Sequence, residues 1–472
     1  MTAAAPVLPA ARGRELWLTG FAVVVGTAAW ASVGIARDAA IPASTIGFLV
    51  GMSLLAAAAH LVVRAVAPYA DPVLLPIVVA LNGLGIVLIH RLDLAESERA
   101  SQLGRAAPRG DAPLQVAWSA VGIALFIVVL FVVRDHRKLS RYTYTAMAAG
   151  LGLLALPALL PARFSEVNGA KIWIRLAGFS IQPGEFAKLA LIVFFAGYLV
   201  AKRDILSLAS RRVMGVDLPR GRDLGPVLVA WVVSLGVLVI ERDLGTSLLF
   251  FGVFLAVLYV ATERRSWLLI GMGLFLTGAA IAASVFSHVH QRVTIWLHAF
   301  DPAVLNPPRG HASSYQLVQG LYGMATGGLL GTGLGEGRPD LVPFAKTDFI
   351  VATIGEELGL AGIMAMLVLY LLLVSRGLRT AIAVRDPFGK LLAAGLSVGV
   401  ALQVFVVVGG VTRIIPLTGL TLPFLSYGGS SLVANWALVA LLLRVSDGAR
   451  RPLAPVATPT TDEALTQVVR RA

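Results

Sequence analysis

LLAAGLSVGVALQVFVVVGGV, residues 391–411, is a run of twenty-one residues without a single charge. A helix needs about 20 mostly apolar residues to cross the hydrocarbon core of a bilayer, where every backbone donor and acceptor must be satisfied inside the chain. Working outward from this run, comparable stretches recur at about 16–36, 46–66, 73–91, 114–134, 144–161, 185–201, 225–240, 244–262, 266–287, 348–375 and 424–444. The short alternating segments of a membrane β-barrel do not occur. The sequence therefore predicts an all-α polytopic membrane protein with about twelve transmembrane helices.

Composition agrees. Of 472 residues, 57% are apolar and 14% charged, and mean hydropathy is +0.82. Soluble domains average about 45–50% apolar and about 25% charged, so a soluble globule is excluded. The formal net charge of +13 would suggest nucleic acid in a soluble protein. Here cytoplasmic loops rich in Lys and Arg explain it, and no nucleic-acid partner is expected. With both termini cytoplasmic, 24 of the 39 basic residues fall in inside segments and 14 outside. The first apolar run is long enough to span and is read as a retained helix, not a signal peptide. There is no cysteine, which removes disulfides, thiolate metal sites and thiol nucleophiles.

Three outer stretches interrupt the apolar pattern, at 162–184, 288–347 and 412–423. The long 288–347 loop exceeds the length at which loops are ordinarily mere connectors. Within it Gln316 to Ala325 reads as a short amphipathic helix on the membrane surface, and GGLLGTGLGEG (327–337) as a region of tight turns. No Gly-Lys-Ser/Thr follows the glycines, so a nucleotide-phosphate loop is excluded. The metalloprotease pattern HExxH and the serine elbow GxSxG are absent as well. His288 and His290, two apart, do not share a helix face, and a structural zinc site is not expected.

Glu185 and Lys188 open the sixth stretch three residues apart, so they share one face. Spacing leaves two readings open: an interfacial ion pair that holds the helix, or a polar patch shaping a cavity for an anionic headgroup. Glu241-Arg-Asp243 lies in a very short connection and reads first as a cap on a tight hairpin. Asp301, followed by Pro302, reads on its own as a turn before it reads as a base.

Taken together, several segments resemble the SEDS family of cell-wall proteins, whose branches include RodA, FtsW and SpoVE. They are NGAKIWI (168–174), FSIQPGEFAK (179–188), DLGT (243–246), YQ (315–316), GGLLGTGLG (327–335), TDFI (347–350), GEELG (355–359) and PLTGLTLPFLSYGGSS (416–431). The whole chain most resembles the actinobacterial RodA branch. The resemblance implies a peptidoglycan glycosyltransferase that polymerises lipid II on the outer face of the plasma membrane during cell elongation, with a class B penicillin-binding protein as partner. It implies a ten-helix core, here 73–445, preceded by a cytoplasmic segment 1–15 and two accessory helices in 16–72. The tail 446–472, rich in Pro, Thr and charge, is expected to be a disordered cytoplasmic segment.

The family's essential Asp-Pro matches Asp301-Pro302, although the segment is one residue shorter than the family pattern and has His298 at its first acidic position. The donor sugar is α-linked to pyrophosphate and the product is β-linked, so the transfer inverts. Asp301 is then the base that takes the acceptor hydroxyl proton. Arg292, Lys346 and Lys188 are candidate phosphate partners, with or without a divalent cation such as Mg or Mn. Glu185, Lys188, Gln316, Asp348, Ser426 and Ser430 are expected to shape the substrate cavity. Two rival readings remain: a flippase for the lipid-linked precursor, and a non-catalytic scaffold for the penicillin-binding protein.

Overall fold

The computed structural model describes residues 10–167, 170–176, 179–207, 209–213, 216–219, 228–229, 232–233, 236, 243–308 and 312–452. Among these, eleven helices are long and apolar enough to cross a membrane, and the chain is a multi-pass membrane protein. In chain order the helices begin with α1 (Ala10–Asp38), α2 (Ser44–Val66), α3 (Leu74–Gln102), α4 (Ala112–Val132) and α5 (Thr143–Leu159). A one-turn α6 (Ala162–Ser165) leads to α7 (Pro183–Ser207). Next come α8 (Leu244–Thr262), α9 (Arg265–Val285), α10 (Ser287–Leu297), α11 (Pro302–Leu305) and α12 (Tyr315–Gly327). The series closes with α13 (Ile350–Glu357), α14 (Gly359–Ala383), α15 (Pro387–Val411) and α16 (Gly429–Arg450). The twelfth stretch of the sequence reading, 225–240, lies mostly outside the described residues, as do Glu241, Arg242 and His311.

The molecule is not purely helical. Among the described residues, three two-stranded antiparallel hairpins pair β1 (Glu166–Val167) with β2 (Ala170–Lys171), β3 (Ile174–Leu176) with β4 (Phe179–Ile181), and β5 (Ala209–Val213) with β6 (Val216–Pro219). They sit in the polar stretches between spans, where water can satisfy the open strand edges.

Helix ends follow local chemistry. Asp386 accepts from the Gly389 amide at 2.7 Å and Pro387 opens α15, so a cap and a pre-set φ start that helix. Asp243 accepts from the Thr246 amide at 3.0 Å and its hydroxyl at 2.6 Å, the capping role read from its short connection. The interior is built around α16 and α3, which are largely enclosed, while α9 turns most of its surface outward. Leu269, Met272 and Leu276 on α9 are exposed, as lipid-facing residues should be.

Three sequence boundaries are corrected. The stretch read as 73–91 runs on as α3 to Gln102, and charges at that boundary and just beyond it are paired with partners distant in sequence, Arg91 with Glu357 and Asp93 with Lys346. The stretch 348–375 is not one helix. It divides into the half-length α13 and the spanning α14, with Gly359 at φ +65°. The start expected for the tail, 446, is still helix: α16 continues to Arg450, and Ser446 and Asp447 are buried against the 69–71 linker, whose Asp71 and Tyr69 amides donate to them at 3.0 and 2.9 Å respectively. Residues 453–472 lie outside the described residues.

Candidate active site

The segment joining α15 to α16, Thr412 to Gly428, is too rich in Pro and Gly to continue either helix, and its carbonyls need partners from elsewhere. They find them on several other elements. Arg292 on α10 donates through Nη1 to Leu417 O at 2.7 Å. Gln403 on α15 donates to Thr421 O at 2.8 Å, and Gln115 on α4 to Ser426 O at 3.2 Å. The Tyr370 hydroxyl on α14 donates to Pro423 O. Ser426 donates to Thr347 O and accepts the Leu422 amide at 2.9 Å. Beneath the segment, a Cβ on Gly85 of α3 would stand 2.5 Å from Phe424 O, so only glycine lets the two backbones approach.

Glu185 and Lys188 meet as their spacing predicts. Lys188 Nζ donates to Glu185 Oε2 and to Gln403 Oε1, both at 2.8 Å. All three side chains are buried. Lys188 thus links α7 to α15, and through Gln403 to Thr421. The lone amide at 403, inside the charge-free run 391–411, is not among the residues expected at the site. A polar side chain among so many apolar ones was the available signal. Ser430 accepts the Gln182 amide at 3.1 Å, so Ser426 and Ser430 both fix backbone at this junction.

Two carboxylates lie within the field of Arg292. Burial pushes Asp348 above the usual carboxylate range, while the Thr347 hydroxyl, at 3.0 Å, and the Arg292 charge pull it back. Burial likewise raises Asp243 against its Thr246 hydrogen bonds and the Arg292 charge. Arg292 is therefore a cation whose charge acts on two acids, the buried Asp243 and the half-buried Asp348. Gln316 ties α12 to the following loop by donating to Pro343 O at 3.0 Å.

Lys346 is placed differently from the expectation. Its Nζ lies 2.7 Å from Asp93, 2.7 Å from Glu96 and 2.9 Å from Asp111. Burial disfavours its charge, but hydrogen bonds to the three carboxylates outweigh burial and hold its pKa above the ordinary lysine value. Three carboxylates thus already surround the ammonium that was expected to meet a phosphate. Among the described residues, no three His, Asp or Glu side chains are grouped to hold a metal ion.

Asp301 precedes α11 on an exposed turn. Its backbone carbonyl accepts from the Val304 and Leu305 amides at 2.9 and 2.8 Å, the turn read from Asp-Pro. Its side chain is 60% exposed, and Oδ2 lies 3.2 Å from His298 Nδ1. Ser314 fastens this turn to α12, donating its hydroxyl to Ala299 O at 2.6 Å. Among the described residues His298 is the single side chain at ion-pairing distance from Asp301. The structure thus brings Glu185, Lys188, Arg292, Asp348, Ser426 and Ser430 around one segment, and Arg413 of that segment holds the chain just before the water-accessible turn of Asp301 by donating to Trp296 O and Leu297 O.

Comparison with known proteins gives the family. The FTSW_RODA_SPOVE family of cell cycle proteins matches residues 72–451. The chain belongs to this family. Within it, the chain is 53% identical over 452 residues to the peptidoglycan glycosyltransferase RodA of Mycobacterium tuberculosis, covering 96% of this chain and 94% of that one. It is 50% identical over 468 residues to the RodA of Mycobacterium leprae, covering 99% and 97%. The solved RodA of Thermus thermophilus superposes with a TM-score of 0.52 at 25% identity, over 81% of this chain and 98% of that one. A structure described as a peptidoglycan synthase complex coordinating polymerization and crosslinking gives 0.60 at 26%, over 81% and 99%. The family match begins at 72, so α1 and α2, which end by Val66, both lie before the matched residues.

Proposed function

We propose that the chain is a peptidoglycan glycosyltransferase that polymerises lipid II during cell elongation, acting at the outer face of the plasma membrane. One observation carries this reading: identity of 53% over nearly the whole length to a RodA named as that enzyme. The positive-inside count supports cytoplasmic termini and an outer site.

The chemistry asks for a base on the attacking side of an inverting displacement. Asp301 takes the proton from the acceptor 4-hydroxyl as its oxygen attacks the anomeric carbon of the donor, and the bond to pyrophosphate breaks. His298, 3.2 Å away, orients the carboxylate. The leaving pyrophosphate needs positive charge, which Arg292 supplies in preference to Lys346. Glu185, Lys188 and Gln403 hold α7 and α15 at fixed separation and so shape the cavity wall. The partner in this reading is a class B penicillin-binding protein, in keeping with the likeness to a complex that couples polymerization to crosslinking.

Polymerisation from purified lipid II tests the reading. Asp301→Asn should lower glycan formation by at least about a hundredfold, the usual contribution of a positioned base, without lowering expression. A flippase would move precursor across vesicles and form no polymer in the wild type. A scaffold would complement equally well with Asp301→Asn.

A further inference from the structure

Next to Asp301 lies a groove that the glycosyltransferase reading leaves unassigned. Its volume is about 680 Å³, and it is lined by Trp296, Phe300, Leu321, Tyr322, Thr412 and Arg413 among others. Small-molecule sites run from about 300 to 1,000 Å³, mostly apolar and aromatic with a few convergent polar groups. Phe300 is the residue before Asp301, and its ring centroid stands 6.2 Å from that of Tyr322 at 45°. Both rings are about half exposed.

The aromatic surface is held rigid. Trp296 Nε1 donates to Arg413 O at 3.0 Å, while Arg413 Nε and Nη2 donate back to Trp296 O and Leu297 O at 2.7 and 2.8 Å. The same guanidinium lies 5.4 Å from the centre of the Phe300 ring, within cation–π range. Arg413 itself holds φ at +61°, a conformation a non-glycine residue keeps only under such restraint. The 296–300 turn and the 412–413 turn are thereby fixed to each other, with rings facing outward.

We propose that this groove is a saccharide subsite that seats the acceptor sugar of the polymerisation reaction, stacked on Phe300 and Tyr322 with its hydroxyl toward Asp301. The assignment rests on the glycosyltransferase reading. Pyranose rings carry faces of C–H groups that suit the electron-rich faces of aromatic rings. The competing occupant is an isoprenoid tail. Every lining residue named lies outside the candidate membrane spans, which favours a saccharide over a chain buried in the hydrocarbon core. Rigid rings also lower the ordering cost of binding.

The test uses the full chain in detergent or nanodiscs, with chitotriose as an uncharged saccharide probe and lipid II as substrate. Tyr322→Ala and Phe300→Leu should each weaken chitotriose binding and raise KM for lipid II by about tenfold, with a smaller effect on kcat. Tyr322→Trp, which keeps a ring, should retain binding. Unaltered chitotriose affinity and KM in both ring-loss variants, with the wild type still polymerising, overturns the subsite and leaves the enzyme reading intact. Chitotriose binding through Tyr322 in a wild type that makes no polymer supports the groove and removes that reading instead. Displacement of the probe by farnesyl pyrophosphate but not by longer chito-oligosaccharides gives the groove to the lipid and overturns the proposal.

Discussion

Lys346 shows how far a single residue's surroundings can depart from its sequence context. Three carboxylates converge on one ammonium whose side chain is 9% exposed. Lys346→Ala would leave Asp93, Glu96 and Asp111 repelling one another at a half-closed site, and should cost about 3 kcal/mol in thermal unfolding of the detergent-solubilised protein. Glu96→Gln, at the more exposed rim, should cost under about 1 kcal/mol. Alkaline pH probes the same cluster. Burial, followed by the neighbouring Asp111, pushes the Tyr427 hydroxyl up to about 12. Its folded pKa is above the unfolded value of 10.0, so its contribution is complete below pH 10 and is lost as pH rises toward 12. Lys346, also raised, acts in the same direction at still higher pH. Unfolding midpoints measured across pH 9–12 should fall with a slope that Tyr427→Phe reduces. Neither Lys346's partners nor Tyr427's were legible in the sequence, because Asp93 and Asp111 lie more than two hundred residues away along the chain.

At the scale of elements, the half-length α13 is tied to α3 across 266 residues of sequence. Arg91 on α3 donates through Nε to Glu357 Oε1 and through Nη2 to Gly337 O, both at 2.7 Å. The Thr332 and Gly333 amides donate to Glu356 O and Glu357 O at 2.9 and 3.0 Å, so the glycine-dense loop wraps the C-terminal end of α13. A Cβ on Gly359 would meet the Gly331 nitrogen at 2.3 Å, and its φ is positive, so α14 can start only from glycine. Arg91→Met leaves Glu357 buried without its cation and should destabilise by about 3–5 kcal/mol, while adding Glu357→Met should recover much of that loss. Melting curves of the single and double variants decide it. An additive double variant would mean that the pair is not coupled. Tight turns at 327–337 were read from the glycines, but the break at 358–359 was not, because apolar residues continue on both sides of it.

For the whole molecule, α1 and α2 stand outside the family match yet are tied to it by polar contacts. Arg444 donates to Val66 O, at the end of α2, at 2.8 Å, and Arg37 of α1 pairs with Glu98 and donates to Gly335 O at 3.2 Å. In lipid there is no hydrophobic drive for helix association, so these polar ties add directly to van der Waals packing. Removing residues 1–66 should leave an inserted core with a lower melting temperature and slower polymerisation, since the glycine-dense loop loses its hold on Arg37. Equal melting and equal polymer yield would show the two helices dispensable to that loop. The helical membrane class, most span positions, the shared face of Glu185 and Lys188 and the family were all determined by sequence alone. Each is a property of a short window or an ordered set of windows: a bilayer selects apolar length, and a helix fixes the three-residue step. Tertiary structure alone decided that Lys188 meets Gln403, that Lys346 is surrounded by acid, that Arg91 reaches Glu357 and that Trp296 and Arg413 build a platform beside Asp301. Those pairings join residues far apart along the chain, and buried polar groups are matched only once the helices have packed.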